Sequence, residues 1–272
     1  MKRPPSSFLR GVLLFAAGAL VSGAIAVAAT NGTKDVWQTG RSGGTPIFGN
    51  RPTGVGLPRI GTVTATTGAG DYVPPLKTYH DSGAYAHDLA TVDGQASAFL
   101  TQRLSRLAAQ KRNCLRHRPA SKCKQPKPAL VLDIDETSLS NYTQLEANDF
   151  KNATPALATA AIAANSPAIA PTLRLFNLAK RKHVAIFFIT GRPSFLESAT
   201  ESNLQSAGYS GWKELVTNPG GTTVVAYKSG ARARIERQGY RVIVNVGDQE
   251  SDLLGGHALR AFKLPNPFYF TP

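Results

Sequence analysis

Apolar runs of strand length alternate with stretches of helical periodicity over the C-terminal two thirds of this chain. Four runs read as strands, and each is followed by polar residues: Leu130–Leu132, Val184–Ile189, Thr222–Tyr227 and Val242–Val246. Three further stretches read as helices, Ser82–Lys111, Pro171–Arg181 and Ser229–Gln238, and apolar positions recur at helical spacing in the first of them. This alternation predicts an α/β fold, a Rossmann-like parallel sheet with helices on both faces.

Two aspartates, Asp133 and Asp135, stand one residue apart where the first run ends. Side chains alternate along a strand, so both carboxylates are expected on the same side. Ligands of open α/β sheets bind at the carboxyl ends of the strands, and Mg²⁺ is a hard cation that takes oxygen ligands. A pair of capping aspartates at a strand-to-helix turn is the alternative that this short pattern alone leaves open.

The other three runs also end in polar groups with a use in phosphate chemistry. Thr190 and Gly191 follow the second run, where a hydroxyl and free backbone N–H groups suit a phosphate oxygen. Lys228 follows the third run and supplies a point charge. Asp248 and Asp252 follow the fourth run, and a spacing of four residues lets them share one face of a helix.

In this order, the segments Asp133–Thr137, Thr190, Lys228 and Gly247–Asp252 resemble the four motifs of the haloacid dehalogenase (HAD) superfamily of aspartate-nucleophile phosphatases. The first segment resembles the acid phosphatase branch, subfamily IIIB, which includes bacterial secreted acid phosphatases and plant vegetative storage proteins. The likeness runs from about Tyr79 to Pro272. It implies a HAD-type sheet with a small cap insert.

The resemblance implies a role for each matching residue. Asp133 would attack phosphorus and form an aspartyl-phosphate. Asp135 would act as general acid and then as general base. Thr190, Gly191 and Lys228 would bind the phosphoryl oxygens.

The resemblance also implies a metal cofactor, Mg²⁺. Its expected ligands are the Asp133 carboxylate, the Asp135 backbone carbonyl and Asp248, with Asp252 binding directly or through water. The implied activity is that of a phosphoric monoester hydrolase, an acid phosphatase acting on small phosphomonoesters. The alternatives are a storage or phosphate- and wall-binding protein with little turnover, and a basic tethered adhesin that uses the fold as a scaffold.

The segment 141–182 is expected to form the small cap insert between the first two motifs. About forty residues, many of them alanine, are too few for a large lid, so we expect an open site. Asn141, Tyr142 and Phe150 are the candidates for contact with the leaving group.

The N-terminal residues indicate export. Lys2, Arg3 and Arg10 precede the apolar stretch Gly11–Ala29, so we interpret 1–29 as a cleaved signal peptide or an uncleaved signal anchor. Residues 30–74 are rich in Gly, Thr and Pro and are expected to be a flexible spacer. The catalytic domain is then 75–272, located outside the cytoplasm in a secreted, periplasmic or surface-tethered protein.

The chain has two cysteines and a large net positive charge. Cys114 and Cys123 are the only cysteines, and in an exported protein this pair is expected to form a disulfide. The formal net charge of +14 attracts anions, among them phosphorylated substrates and an anionic wall or membrane surface. Basic residues cluster in Arg103–Lys127 and Arg232–Arg241, but no recognition pattern for specific nucleic-acid binding accompanies them.

Overall fold

A computed structural model describes residues 47–49, 73–151 and 153–271. The predicted signal segment 1–29 and most of the predicted spacer 30–74 lie outside these residues. Among the helices of the described ranges, none combines the length and apolar character needed to cross a membrane.

The central sheet has six strands, and every neighbouring pair runs parallel. Along the sheet the order is β1-β6-β5-β2-β3-β4. The strands are β1 Ile47–Gly49, β2 Lys127–Leu132, β3 Ala185–Pro193, β4 Glu214–Asn218, β5 Tyr240–Gly247 and β6 Arg260–Lys263. Strand β1 adds an edge strand from within the segment expected to be a spacer, because its backbone pairs with β6.

Helices cover both faces of this sheet. They are α1 Val73–Asp81, α2 Ala84–His117, α3 Tyr142–Ala147, α4 Ala153–Ala163, α5 Ala170–Arg181, α6 Glu197–Ser206, α7 Val224–Arg237 and the single turn α8 Glu250–Leu253. Strand alternation assigns the two faces: Leu130 and Leu132 pack in the core that contains α2 and α5, whereas Val131 packs with Ala231 and Ile235 of α7. The predicted α/β fold with helices on both faces is confirmed.

One predicted strand, Thr222–Tyr227, is wrong. These residues start α7, and the strand that precedes Lys228 is β4. Thr223 is the N-cap residue of α7, and its hydroxyl oxygen accepts a hydrogen bond from the Ala226 N–H at 3.3 Å. A threonine cap and β-branched residues in the first turn resemble a strand in sequence, but the capping bond fixes the helix start. Lys228 therefore lies in the second turn of α7.

The predicted disulfide between Cys114 and Cys123 is confirmed. Cys114 lies in the last turn of α2, which extends six residues beyond the predicted end at Lys111. The bridge ties this helix end to the loop that leads into β2. The region expected to be a cap insert, 141–182, holds α3, α4 and α5.

Candidate active site

The site is built where β2 ends. The strand stops at Leu132, and the Asp133 N–H donates to the Val246 carbonyl of β5 at 3.0 Å. The backbone then turns sharply, with the N–H groups of Ser138 and Leu139 both donating to the Ile134 carbonyl. This turn holds the carboxylates of Asp133 and Asp135 near the carboxyl edge of the sheet.

Lys228 connects two of the predicted site carboxylates. Its Nζ lies 2.6 Å from Asp133 Oδ1 and 2.6 Å from Asp252 Oδ1, and all three side chains are buried. Burial disfavours the ammonium group, but the two carboxylates outweigh that cost and raise the pKa of Lys228. Lys228 is therefore a fixed positive charge between the two aspartates.

Three buried carboxylates form a group able to hold a metal ion. Oxygen atoms of Asp133, Asp248 and Asp252 all lie within 4.8 Å of one another. Burial, with Asp252 next in importance, raises the pKa of Asp133 and raises that of Asp248 to about 6. Lys228 bridges only two of the three carboxylates, and the pKa of Asp248 stays raised although Lys263 lowers it in part, so this cluster is short of positive charge. Its all-oxygen donor set fits a hard divalent cation.

Neighbouring side chains hold Asp248 in a fixed orientation. Its Oδ2 accepts hydrogen bonds from Gln249 Nε2 at 2.6 Å and from Asn266 Nδ2 at 2.7 Å, and its Oδ1 accepts from the Thr137 hydroxyl at 3.1 Å. Lys263 Nζ donates to the Asp248 backbone carbonyl. None of these four supporting residues is a predicted site residue, although Lys263 and Asn266 are conspicuous polar positions in an apolar C-terminal segment.

Asp252 depends on a glycine and a buried arginine. A Cβ atom at Gly247 would come within 2.4 Å of the Asp252 Cβ, so only glycine allows α8 to fold back this closely. Arg232 donates to the Asp252 backbone carbonyl at 2.6 Å and to the Gly256 carbonyl at 2.9 Å. Sequence reasoning places Arg232 in a basic cluster, whereas the structure buries it as a brace for α8.

Asp135 pairs with a different cation, Arg192. Arg192 Nη2 lies 2.7 Å from Asp135 Oδ1, and its Nε donates to the same carboxylate at 3.1 Å. Although burial opposes ionisation, Arg192 and a hydrogen bond from Asn141 hold the pKa of Asp135 below its ordinary value. The Arg192 N–H also donates to Thr190 Oγ1 at 3.1 Å, which ties Thr190 to this part of the site.

Sequence reasoning missed Arg192 as a site residue. The sequence feature that could have indicated it is its position two residues after Thr190, at the end of an apolar run. An arginine that is buried at such a strand end requires a carboxylate nearby. Gly191, between them, is exposed, and a Cβ built on it would meet no atom within 4 Å. The carboxyl end of β3 therefore presents the buried hydroxyl of Thr190, an open backbone position at Gly191 and the buried guanidinium group of Arg192.

Asn141 contacts two carboxylates of the turn. Its Nδ2 donates to Asp135 Oδ1 at 2.8 Å, its backbone N–H donates to Glu136, and its Oδ1 accepts from the Ser166 hydroxyl at 2.8 Å. Glu136 also accepts from the Tyr269 hydroxyl at 3.1 Å, and burial raises the pKa of Glu136 to about 8. The proposed contact of Asn141 with a leaving group stays a prediction.

Tyr142 and Phe150 belong to an aromatic cluster next to this turn. The Tyr142 ring stacks on His80 with 3.4 Å between centroids, and the Phe150 ring stacks on Phe268 at 5.5 Å. Tyr142 is only 7% exposed and Phe150 only 2%. Their contact with a leaving group also stays a prediction.

The fold and this site together define an α/β protein with a buried aspartate and lysine centre at the carboxyl edge of a parallel sheet. Residues 65–272 match the family described as HAD superfamily, subfamily IIIB (acid phosphatase). This chain belongs to that family.

Similar proteins come from plants and bacteria. The chain is 37% identical over 154 residues to the stem 28 kDa glycoprotein of Glycine max, covering 53% of this chain and 61% of that protein. It is 34% identical over 158 residues to acid phosphatase 1 of Solanum lycopersicum, covering 52% and 58%. The chain thus spans less than two thirds of the length of either relative.

Among solved structures, the class C acid phosphatase from Bacillus anthracis superposes with a TM-score of 0.46 at 19% sequence identity. The superposition covers 68% of this chain and 86% of that one.

Proposed function

We propose that this protein is a Mg²⁺-dependent acid phosphatase that hydrolyses phosphomonoesters through an aspartyl-phosphate on Asp133. The observation that carries the proposal is the bridge from Lys228 to Asp133 and Asp252, with Asp248 beside it. A buried carboxylate held between a fixed cation and a metal-binding group is suited to attack an anionic phosphorus centre.

In the first step, an Asp133 carboxylate oxygen forms a bond to phosphorus as the bond from phosphorus to the ester oxygen breaks. Lys228 and Thr190 hold the phosphoryl oxygens, and Lys228 offsets their negative charge. The exposed backbone at Gly191 leaves room for the phosphoryl group to approach. Removing one such stabilising contact costs on the order of 10²- to 10³-fold in rate.

Asp135 handles the proton in both steps. It protonates the leaving ester oxygen, then takes a proton from the water that attacks the aspartyl-phosphate and releases inorganic phosphate and free Asp133. Arg192 favours the ionised form of Asp135 in the free protein. A bound phosphoryl anion raises the pKa of a nearby carboxyl group, so substrate and acidic pH both favour the protonated form that the first step needs.

The residues that would hold Mg²⁺ are Asp133, Asp248 and Asp252, with the backbone carbonyl of Asp135. The bound ion would supply positive charge that offsets the repulsion between these carboxylates and an anionic substrate. Thr137, Gln249 and Asn266 would keep Asp248 in position for this role.

We further propose that the domain acts outside the cytoplasm, as a secreted or surface-tethered protein. The disulfide between Cys114 and Cys123 supports this location because disulfides persist in oxidising compartments. The basic and apolar pattern of residues 1–29 supports export as well. Relatives named as stem glycoproteins agree with this location.

The test is phosphate release from p-nitrophenyl phosphate and nucleoside monophosphates at pH 4 to 9, with Mg²⁺ or EDTA. Wild type should turn over only with Mg²⁺, and Asp133→Asn should lose at least about 10³-fold in kcat because the nucleophile is gone. The control is Asp149→Asn, an exposed carboxylate that pairs with Lys151, which should retain wild-type kcat. Absence of turnover in wild type over the whole panel would favour the storage or phosphate-binding alternative.

A further inference from the structure

The amino edge of the sheet, where the parallel strands begin, lies opposite the candidate active site and carries a cluster of positive charge. The chain from residue 94 to residue 132 contains no Asp or Glu. We define the basic projection as residues 108–127, which run from the last turns of α2 through the disulfide loop to the start of β2. It carries seven basic side chains: Lys111, Arg112, Arg116, Arg118, Lys122, Lys124 and Lys127.

The basic projection extends into solvent. Helix α2 has 34 residues, yet its fully buried positions end at Leu100 and its partly buried core contacts end at Leu107. From residue 108 to residue 127 every residue is exposed except the two bridged cysteines. Cys123 is buried and anchors the loop to the end of α2, so the charges are held on a fixed scaffold.

Its charges have no carboxylate partner among the described residues. The ion pairs found there join lysine, arginine or histidine to acidic groups elsewhere, and none includes a residue of the basic projection. Lys127 Nζ lies 5.9 Å from the centre of the Tyr240 ring, which leaves its charge unneutralised. The basic projection therefore presents charge of a single sign to solvent.

A groove of about 410 Å³ lies on α2 just before the basic projection. Its lining is one side of α2 together with the start of β6: Phe99, Gln102, Arg103, Arg106, Leu259 and Arg260. The Arg260 guanidinium lies 4.4 Å from the centre of the Phe99 ring. Arg103 Nε is buried without a hydrogen-bond partner in the described structure. A buried donor without a hydrogen bond is costly, so an acceptor atom of a ligand would stabilise this group.

We propose that the groove and the basic projection together bind a flexible linear polyphosphate chain. Guanidinium groups match phosphate oxygens in a forked geometry, and three arginines line the groove. The exposed lysines and arginines of the basic projection then follow the chain as it leaves the groove. The polymer would hold the protein by the amino edge of the sheet, while the candidate active site at the carboxyl edge stays open to substrate.

A flexible chain fits this surface better than a flat anionic bilayer does. The groove is concave, so single phosphate groups of a chain can enter it. Arg112 and Arg116 lie about 100° and 140° around the helix from Lys111, so the charges do not form one flat face. Leu115, which is 46% exposed, is the only large apolar side chain exposed on the basic projection for insertion into a bilayer.

The test measures binding of the full chain to long-chain inorganic polyphosphate in EDTA, which prevents metal-bridged contacts. We compare Lys111→Gln/Arg112→Gln/Arg116→Gln with a matched control of equal charge change, Arg181→Gln/Lys182→Gln/Lys213→Gln. All six residues are exposed. The first triple variant should weaken binding at least tenfold and lower the slope of log K against log salt by about 2, since each lost phosphate contact removes about 0.7.

The control triple should weaken binding less than threefold. Equal losses in both variants would mean general charge attraction and would overturn the proposal. Arg103→Gln/Arg106→Gln tests the groove and should also weaken binding at least tenfold, and wild-type affinity in this variant would remove the groove from the site.

Two further measurements separate this site from its alternatives. Vesicles that contain phosphatidylglycerol should bind more weakly than polyphosphate at equal phosphate concentration, and the reverse order would favour a bilayer instead. Turnover of p-nitrophenyl phosphate with Mg²⁺ should be the same in wild type and in the triple variants, and far-ultraviolet circular dichroism reports correct folding of every variant independently of turnover. The binding result stands whether or not wild type is a phosphatase.

Discussion

The two edges of the central sheet differ in how their charged side chains are buried and paired. At the carboxyl edge, Lys228 is buried and lies 2.6 Å from each of two buried carboxylates. At the amino edge, the basic projection exposes seven lysines and arginines that have no carboxylate partner in the described structure.

Burial explains the difference. A buried charge that loses its partner keeps its full cost of desolvation, so each group at the carboxyl edge requires a specific neighbour. Water screens exposed charges, and surface ion pairs contribute little, so the amino edge can carry one sign of charge without specific partners. The carboxyl edge is therefore sensitive to each single substitution, whereas the amino edge responds to the number of charges.

The largest expected effect is that of Lys228→Met measured against Lys124→Met. The first variant leaves Asp133 and Asp252 buried without their cation, which should lower the free energy of unfolding by about 3 to 5 kcal/mol in EDTA. Lys124 is exposed in the basic projection, so its substitution should leave stability unchanged within error. Urea unfolding followed by circular dichroism measures both. Similar losses in the two variants would contradict the contrast between the edges.

Asp93 is a buried carboxylate away from both edges, and it differs from Asp133 in having no ion-pair partner among the residues described. Asp93 in α2 is 2% exposed, its Oδ2 accepts from the Thr172 hydroxyl at 2.9 Å, and its Oδ1 has no hydrogen-bond partner in the described structure. Burial raises the pKa of Asp93 to about 7. Unlike Asp133, it has no lysine or arginine within ion-pair distance in the described structure.

We expect this group to make stability fall as pH rises. The folded protein holds the Asp93 proton more tightly than the unfolded chain does, so the stabilisation is complete below the ordinary aspartate pKa and is lost as pH rises through about 7. A shift of about three pKa units corresponds to about 4 kcal/mol. Asp93→Asn does not titrate, so its unfolding free energy should rise relative to wild type between pH 4 and pH 8. A difference that is constant across this range would exclude the effect.

Arg192 is the cation that the sequence did not reveal as a site residue. Arg192→Gln should lower kcat by about 10- to 100-fold, because Asp135 loses the forked contact that positions it for proton transfer. Steady-state kinetics with p-nitrophenyl phosphate gives kcat and KM separately. Arg181→Gln, at an exposed position, is the control and should match wild type. An increase in KM alone would mean that Arg192 only binds substrate.

Strand ends were readable from the sequence because apolar runs stop abruptly at polar residues. That pattern was sufficient to select Asp133 and Asp248, which the structure brings to one edge of the sheet. Lys228 reaches the same site from the second turn of α7 and not from a strand end. The pattern could not reveal Arg192 as a partner of Asp135, since the two are 57 positions apart and meet only when β2 and β3 pair. The strand prediction for Thr222–Tyr227 is wrong because a cap followed by β-branched residues has the composition of a strand.

The smallest expected effect is that of Asn266→Ala on the affinity for Mg²⁺ at the carboxyl edge. Asn266 lies in the C-terminal segment after β6, and its Nδ2 donates to Asp248 Oδ2 at 2.7 Å. Loss of a residue that orients a metal ligand typically costs about 10- to 100-fold in metal affinity. Because Gln249 and Thr137 still hold Asp248, we expect Asn266→Ala to weaken Mg²⁺ binding by about tenfold, the low end of that range.

Calorimetric titration of Mg²⁺ into the protein without substrate measures this affinity independently of turnover. The matched control is Asn113→Ala, an exposed asparagine of the basic projection, which should bind Mg²⁺ as wild type does. Unchanged affinity in Asn266→Ala would show that Gln249 and Thr137 are sufficient to orient Asp248. An equal loss in both variants would mean that Mg²⁺ affinity follows general stability and not the orientation of one carboxylate.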